Sequence, residues 1–160
     1  MNIRQLAQFS MLLALSVVGS YIKIPSMVGS LALDAVPGYF AALCISPALG
    51  ATVASLGHMA TAAVSGFPLG IPIHALVSLG MAASALCAGL LAKRSLYLGA
   101  TAGILINGLI LPALFIVIPA FGMPFFLAAT PSIMVASLLN VALATMLHAV
   151  PSLRKATYVR

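Results

Sequence analysis

Leu90-Leu91-Ala92-Lys93-Arg94-Ser95-Leu96-Tyr97 is the stretch on which the fold turns, because it sets two adjacent cations between two long apolar runs. The 160-residue chain is 63% hydrophobic and 5% charged, with seven Lys or Arg against one Asp or Glu. A soluble domain carries about a quarter charged residues, so the mean hydropathy of +1.23 points to lipid as the solvent. In that setting a Lys-Arg pair marks a short cytoplasmic loop between two spans. Arg4 at one end and Arg154, Lys155 and Arg160 at the other are the remaining basic stations.

Three stations on one side require an even number of crossings between each neighbouring pair. The 88 residues between Arg4 and Lys93 hold four spans of about 20 residues. Residues 95–153 number 59 and hold two. The sequence therefore predicts an all-α integral membrane protein, a six-helix bundle with both termini cytoplasmic, as one domain over 1–160. Proline and glycine punctuation places helices at about 3–24, 34–46, 48–65, 72–92, 96–118 and 125–150. Pro25 stops the first, and Asp34-Ala35-Val36-Pro37 opens the second with Asp34 as a candidate N-cap. Ser46-Pro47 divides the second from the third, and Gly66-Phe67-Pro68-Leu69-Gly70-Ile71-Pro72 reads as an outer loop. Five further hydrophobic spans favour an uncleaved first helix over a signal peptide.

The charge ledger also narrows function. A single acid removes catalysis by paired carboxylates, and Ser55 with His58 one turn away lacks an orienting acid, so no enzyme is expected. Cys44 and Cys87 have no CxxC or Cys/His spacing, which leaves a disulfide or zinc site unsupported. The cations punctuate apolar runs instead of massing on one face, so nucleic acid is not expected as a partner. Within the spans, His58 shares a face with Ser55 and Ser65, Asn107 lies mid-helix, Asn140 shares a face with Ser137, and His74 follows the outer loop. Such groups either hydrogen-bond between helices or face a cavity. Tyr39, Phe67, Phe121 and Phe125 fall at outer span ends or loops, a one-sided enrichment that fits a ligand pocket open outward. Lys23 and Asp34 flank the first outer loop, where Asp34 is a helix cap, a partner for Lys23 or a hydroxyl acceptor for a ligand.

Several of these segments, in this order, resemble the substrate-binding S components of energy-coupling factor (ECF) vitamin transporters: Tyr21-Ile-Lys-Ile-Pro25, Leu33-Asp-Ala-Val-Pro-Gly-Tyr-Phe-Ala-Ala-Leu43, Ser46-Pro-Ala-Leu-Gly50, Gly57-His58 and Gly66-Phe-Pro-Leu-Gly70. By motif the similarity covers the first 95 residues or so, and by helix plan the whole chain; within the family it is nearest to the alpha-ribazole (cobalamin precursor) group. The resemblance implies a high-affinity subunit in the plasma membrane of a prokaryote that captures a vitamin or precursor. A transmembrane coupling protein and two ATP-binding cassette ATPases would supply energy, with no cofactor on this chain and ATP used by the partners. It implies that Ser10-xxx-Ala14 on helix 1, in place of the family's Ala-xxx-Ala, meets the coupling protein, and that residues 25–36 form a lid.

Under that reading the substrate-binding candidates are Lys23, Asp34, Tyr39, His58, Phe67, His74, Asn107, Phe121, Phe125 and Asn140. Flat aromatic surfaces with hydroxyl-binding groups suit alpha-ribazole, and equally a riboflavin-, pantothenate- or pyridoxine-like vitamin. Metal-carrying relatives begin Met-His whereas this chain begins Met1-Asn2, so no metal is expected. A structural membrane bundle without a ligand is the reading from another class.

Overall fold

The computed structural model describes the backbone of residues 3–26 and 29–153, and the side chains of these residues except 23–31. Among the described residues six helical segments of nine residues or more follow one another: α1 (Ile3–Ser20), α2 (Val36–Cys44), α3 (Pro47–Val64), α4 (Ile71–Ala92), α5 (Leu96–Val117) and α6 (Gly122–Ala149). Between α1 and α2 the chain forms a two-stranded antiparallel hairpin, β1 (Lys23–Ser26) and β2 (Gly29–Ala32), with Lys23 opposite Ala32. By length and composition α1, α4, α5 and α6 are apolar enough to cross a membrane. The nine residues of α2 rise only about 14 Å, less than half a bilayer core.

Three boundaries differ from the sequence reading. The first helix ends at Ser20, not residue 24, because Pro25 and its neighbours pair into the hairpin. The second starts at Val36 with Ala35 at the N-cap, so Asp34 stands one residue outside the capping position. The last begins at Gly122 and carries Pro131 without a break. Ser46 does cap α3, accepting the Leu49 amide at 3.1 Å, with Pro47 in the first turn.

Successive segments run in alternating directions and meet through small residues. A Cβ on Gly38 would come within 2.9 Å of Ala54 backbone, and one on Gly50 would overlap Ala42, so α2 and α3 form a closely apposed antiparallel pair. Gly99 lies against Ala88 and Ala92 where α4 meets α5, and Gly108 against Met134 where α5 meets α6. Lipid supplies no hydrophobic drive between helices, so close backbone approach and dispersion must hold them. Alanines, serines and glycines accordingly dominate the core, with Tyr39, Val53 and Val141 as its largest fully buried side chains besides serines.

Alternation leaves two unlike ends. At one lie Lys93, Arg94 and the Cys44–His148 contact, 3.3 Å between Sγ and Nδ1, which sets the end of α6 beside the end of α2. At the other gather the hairpin, the turn before α4 and the turn before α6. Gly66, Phe67 and Gly70 all have positive φ there, 74°, 50° and 82°, which reverses the chain tightly onto α4.

Gly50→Leu tests the close approach. The side chain would strike Ala42 backbone, which cannot yield, and the expected cost is about 1–3 kcal/mol, as for overpacked cores. The melting temperature of the purified chain in detergent should fall clearly, while Gly66→Ala, with no atom within 4 Å of the new methyl, should lower it only through backbone strain.

Candidate functional site

The end bearing the hairpin holds a partly open cavity of about 300 Å³, small for a ligand pocket and suited to a compact molecule. Its walls come from α3, α4, α5, α6 and the segment joining β2 to α2, so every helix except α1 contributes or adjoins. Asp34, His58, His74, Asn107, Phe125 and Asn140 line it. Six residues named from the sequence, drawn from five parts of the chain, thus converge on one space.

α3 delivers a polar strip. His58, Thr61 and Ser65 lie at spacings of three and four, on one face. His58 Nε2 sits 3.2 Å from His74 Nδ1, and the Leu69 amide donates to His74 Nε2 at 3.5 Å. An acceptor at Nε2 places the His74 hydrogen on Nδ1, where it is donated to His58. The histidines therefore act as a relay that ties the turn before α4 to the cavity wall.

α5 delivers Asn107, Leu111, Pro112 and Phe115 through an irregular middle. Residues Leu96–Leu105 are α-helical, Ile106–Ile110 form a π-turn, and Leu114–Val117 wind as a 3-10 helix. A regular helix drifts by about 40° for every four residues; the wider π-turn reduces that drift, so Asn107, Leu111 and Phe115 stay on the cavity side. Phe115 stacks on Phe125 at 5.1 Å between centroids and 29° between planes. Phe121 packs edge-on against both, at 5.2 and 4.9 Å. The result is an aromatic wall two rings deep, with Phe121 behind the pair that lines the cavity.

Tyr39, Phe67, Lys23 and Phe121 are not among the described residues of the lining. Tyr39 is 1% exposed, away from the cavity, its hydroxyl 2.7 Å from Ser84 Oγ and 3.3 Å from the Gly103 carbonyl, which Ser84 also reaches at 3.1 Å. It pins α2, α4 and α5 together. Phe67 meets the edge of His74 at 5.8 Å and supports the relay from outside the lining. Asn140 borders the cavity, yet its amide is spent on protein: Nδ2 donates to Ala32 O at 3.1 Å and Ala136 O at 2.8 Å, and Oδ1 accepts from Ala35 N at 3.1 Å. The backbone of Lys23 lies in β1, and its side chain falls outside the described residues. Phe115, Met81 and Leu111 line the cavity without having been singled out; the π-turn that orients Phe115 leaves no composition signal.

A family model described as "ECF transporter, substrate-specific component" matches residues 4–151. The chain belongs to that family. ECF S components bind a small-molecule substrate, work with a coupling protein and two ATPases, and are transport subunits, not enzymes. A solved structure titled "Structure and mechanism of the S component of a bacterial ECF transporter" superposes with a TM-score of 0.73 over 92% of this chain and 95% of that one, at 22% identity, which establishes a common fold. No curated protein matches the chain. This S component is therefore a membrane-embedded substrate-capture subunit of an ECF importer.

The Asn140 amide makes a direct prediction about the roof of the cavity. Asn140→Ala removes both links to the β2–α2 segment and leaves the Ala35 amide and Ala32 carbonyl unpaired, costing about 1–3 kcal/mol for a buried orphan. Hydrogen exchange at Ala35 should speed up at least about tenfold; unchanged protection there would disprove the tie.

Proposed function

We propose that this S component captures alpha-ribazole, a cobalamin precursor, from outside a prokaryotic cell and hands it to an ECF coupling module in the plasma membrane. The observation that supports a flat heteroaromatic riboside is a cavity of about 300 Å³ lined both by the stacked Phe115 and Phe125 and by His58, His74 and Asn107. The ring system would lie against the phenylalanines, and the ribose hydroxyls would meet the polar strip of α3 and Asn107. A riboflavin- or pyridoxine-like ligand would use the same division of the cavity into a flat apolar side and a polar side.

In this reading the chain is one domain over 1–160 with six crossings and both termini cytoplasmic. The alternating directions of α1 to α6 support it, since they bring Lys93, Arg94 and the end of α6 to one end and the cavity to the other. α2 is a partial crossing completed by the hairpin above it. Ser10 and Ala14 would meet the coupling protein: both are exposed on α1, which buries only Leu12, Ser16, Gly19 and Ser20. Asp34, His58, His74, Asn107 and Phe125 would contact substrate, with Phe67 and Phe121 behind them, Asn140 holding the roof and Lys23 on the hairpin. No cofactor is assigned to this chain, and ATP is consumed by the partner subunits.

Mass spectrometry of the small molecules that co-purify with the detergent-solubilised chain tests the substrate: a benzimidazole riboside supports the assignment, and a different vitamin overturns it while leaving capture intact. Ala14→Trp tests the docking face. It should reduce recovery of the coupling protein and ATPases in a pull-down by tenfold or more, and leave the chain's own affinity for ligand within about twofold. Unchanged recovery would remove Ser10 and Ala14 from the interface.

A further inference from the structure

Asn107 is held from behind by Ser137, a residue of α6 that is not among the described residues of the lining. Ser137 is fully buried, and its hydroxyl spends its one hydrogen on Ile133 O, 2.7 Å away and one turn earlier. Toward α5 it can then only accept, and it accepts an Asn107 Nδ2 hydrogen at 2.8 Å. The reverse orientation of the amide would set Oδ1 against the lone pairs of Ser137. Because an amide is planar, anchoring its nitrogen also fixes its oxygen. Among the described residues Oδ1 meets no donor, and it is not sealed into the core, so it opens on the cavity that Asn107 lines. The second Nδ2 hydrogen is likewise left over.

We infer that Ser137 is a positioning residue for specificity: it turns the Asn107 carbonyl oxygen into a fixed acceptor, to which the ligand must bring a hydrogen-bond donor. This rests on the cavity being the capture site for a riboside. In a benzimidazole riboside the rings carry no N–H, because one ring nitrogen bears the sugar and the other has only a lone pair. Every donor is therefore a ribose hydroxyl, and the sugar docks on Asn107. The second Nδ2 hydrogen is then available to an oxygen of the same sugar, and the rings are left to Phe115 and Phe125. A ligand without the donor would cover Oδ1 and leave it unpaired, which is how a site built to bind a hydroxyl rejects the analogue that lacks it.

Titration calorimetry on the full chain in detergent tests both residues with four probes, the benzimidazole riboside and its 2′-deoxy, 3′-deoxy and 5′-deoxy forms. At least one deoxy form should bind about tenfold more weakly than the riboside, or weaker still. Ser137→Ala should bring that ratio to within about threefold by weakening the riboside and leaving the affected deoxy form nearly unchanged, and Asn107→Leu should do the same. The ratio is read within one variant, so a merely structural loss weakens all four probes alike, and that result overturns the assignment. It falls too if every deoxy form binds within about threefold of the riboside, or if Asn107→Leu collapses the ratio while Ser137→Ala preserves it. In each of these cases capture of the riboside stands. If the riboside itself does not bind, the substrate reading falls and this contact falls with it.

Discussion

Asn140 joins the last helix to the first loop across more than a hundred residues of sequence, and the cavity exists because that tie is made. Its side chain satisfies two backbone groups that the β2–α2 segment would otherwise present to an apolar interior, Ala32 O and Ala35 N. An unpaired amide or carbonyl at that depth is costly, so the segment has one favourable resting place, against α6. The hairpin, the half-buried Asp34 and the start of α2 take their positions from it. Gly19 completes the arrangement: its carbonyl accepts the Leu33 amide at 3.2 Å, and the lack of a side chain lets Leu33 backbone pass directly over the end of α1.

Beneath this roof the bundle relies on smallness. Gly38, Gly50, Gly57 and Gly99 let helix backbones approach until ordinary side chains would collide. The few hydroxyls in the core, such as Ser84 and Ser55, bridge neighbouring helices instead of facing lipid. Packing is closest across the middle, and the cavity of about 300 Å³ opens at the hairpin end beside the stretch where α5 departs from regular winding. A rigid lower bundle with a hollow upper end suits a subunit that must hold a small molecule without collapsing when it is empty.

The sequence showed the class of fold through its charges, since seven cations among apolar runs can be laid out in few ways. It showed the order of helices through Pro25, Ser46-Pro47 and the Gly66–Pro72 run, each of which acts locally and therefore can be read locally. The hairpin escaped because strands this short are defined by their pairing, Lys23 with Ala32, and not by composition. At the site, His58, His74, Asn107 and Phe125 were legible as polar or aromatic groups in unusual places. Tyr39 and Asn140 were equally unusual, but their partners, the Gly103 carbonyl and the hairpin backbone, lie far along the chain and leave no trace in residue type.

The π-turn at Ile106–Ile110 behaves as one residue more than a regular helix needs, and that gives α5 two halves with different angular phase. Leu96–Leu105 is set in phase with α4, where Gly99 and Gly103 seat, whereas Leu111–Val117 is set in phase with the cavity. Removing a single residue between 106 and 110 would let the backbone relax into a smooth α-helix at little local cost. The later side chains would keep their places, Phe115 on the wall and Leu111 against Gly80, because the wide turn already absorbs one residue's worth of winding, about 100°. A lineage could thus gain or lose that one codon with both halves of the helix left in place, and only the side chains of the turn itself, Asn107 among them, would be re-aimed.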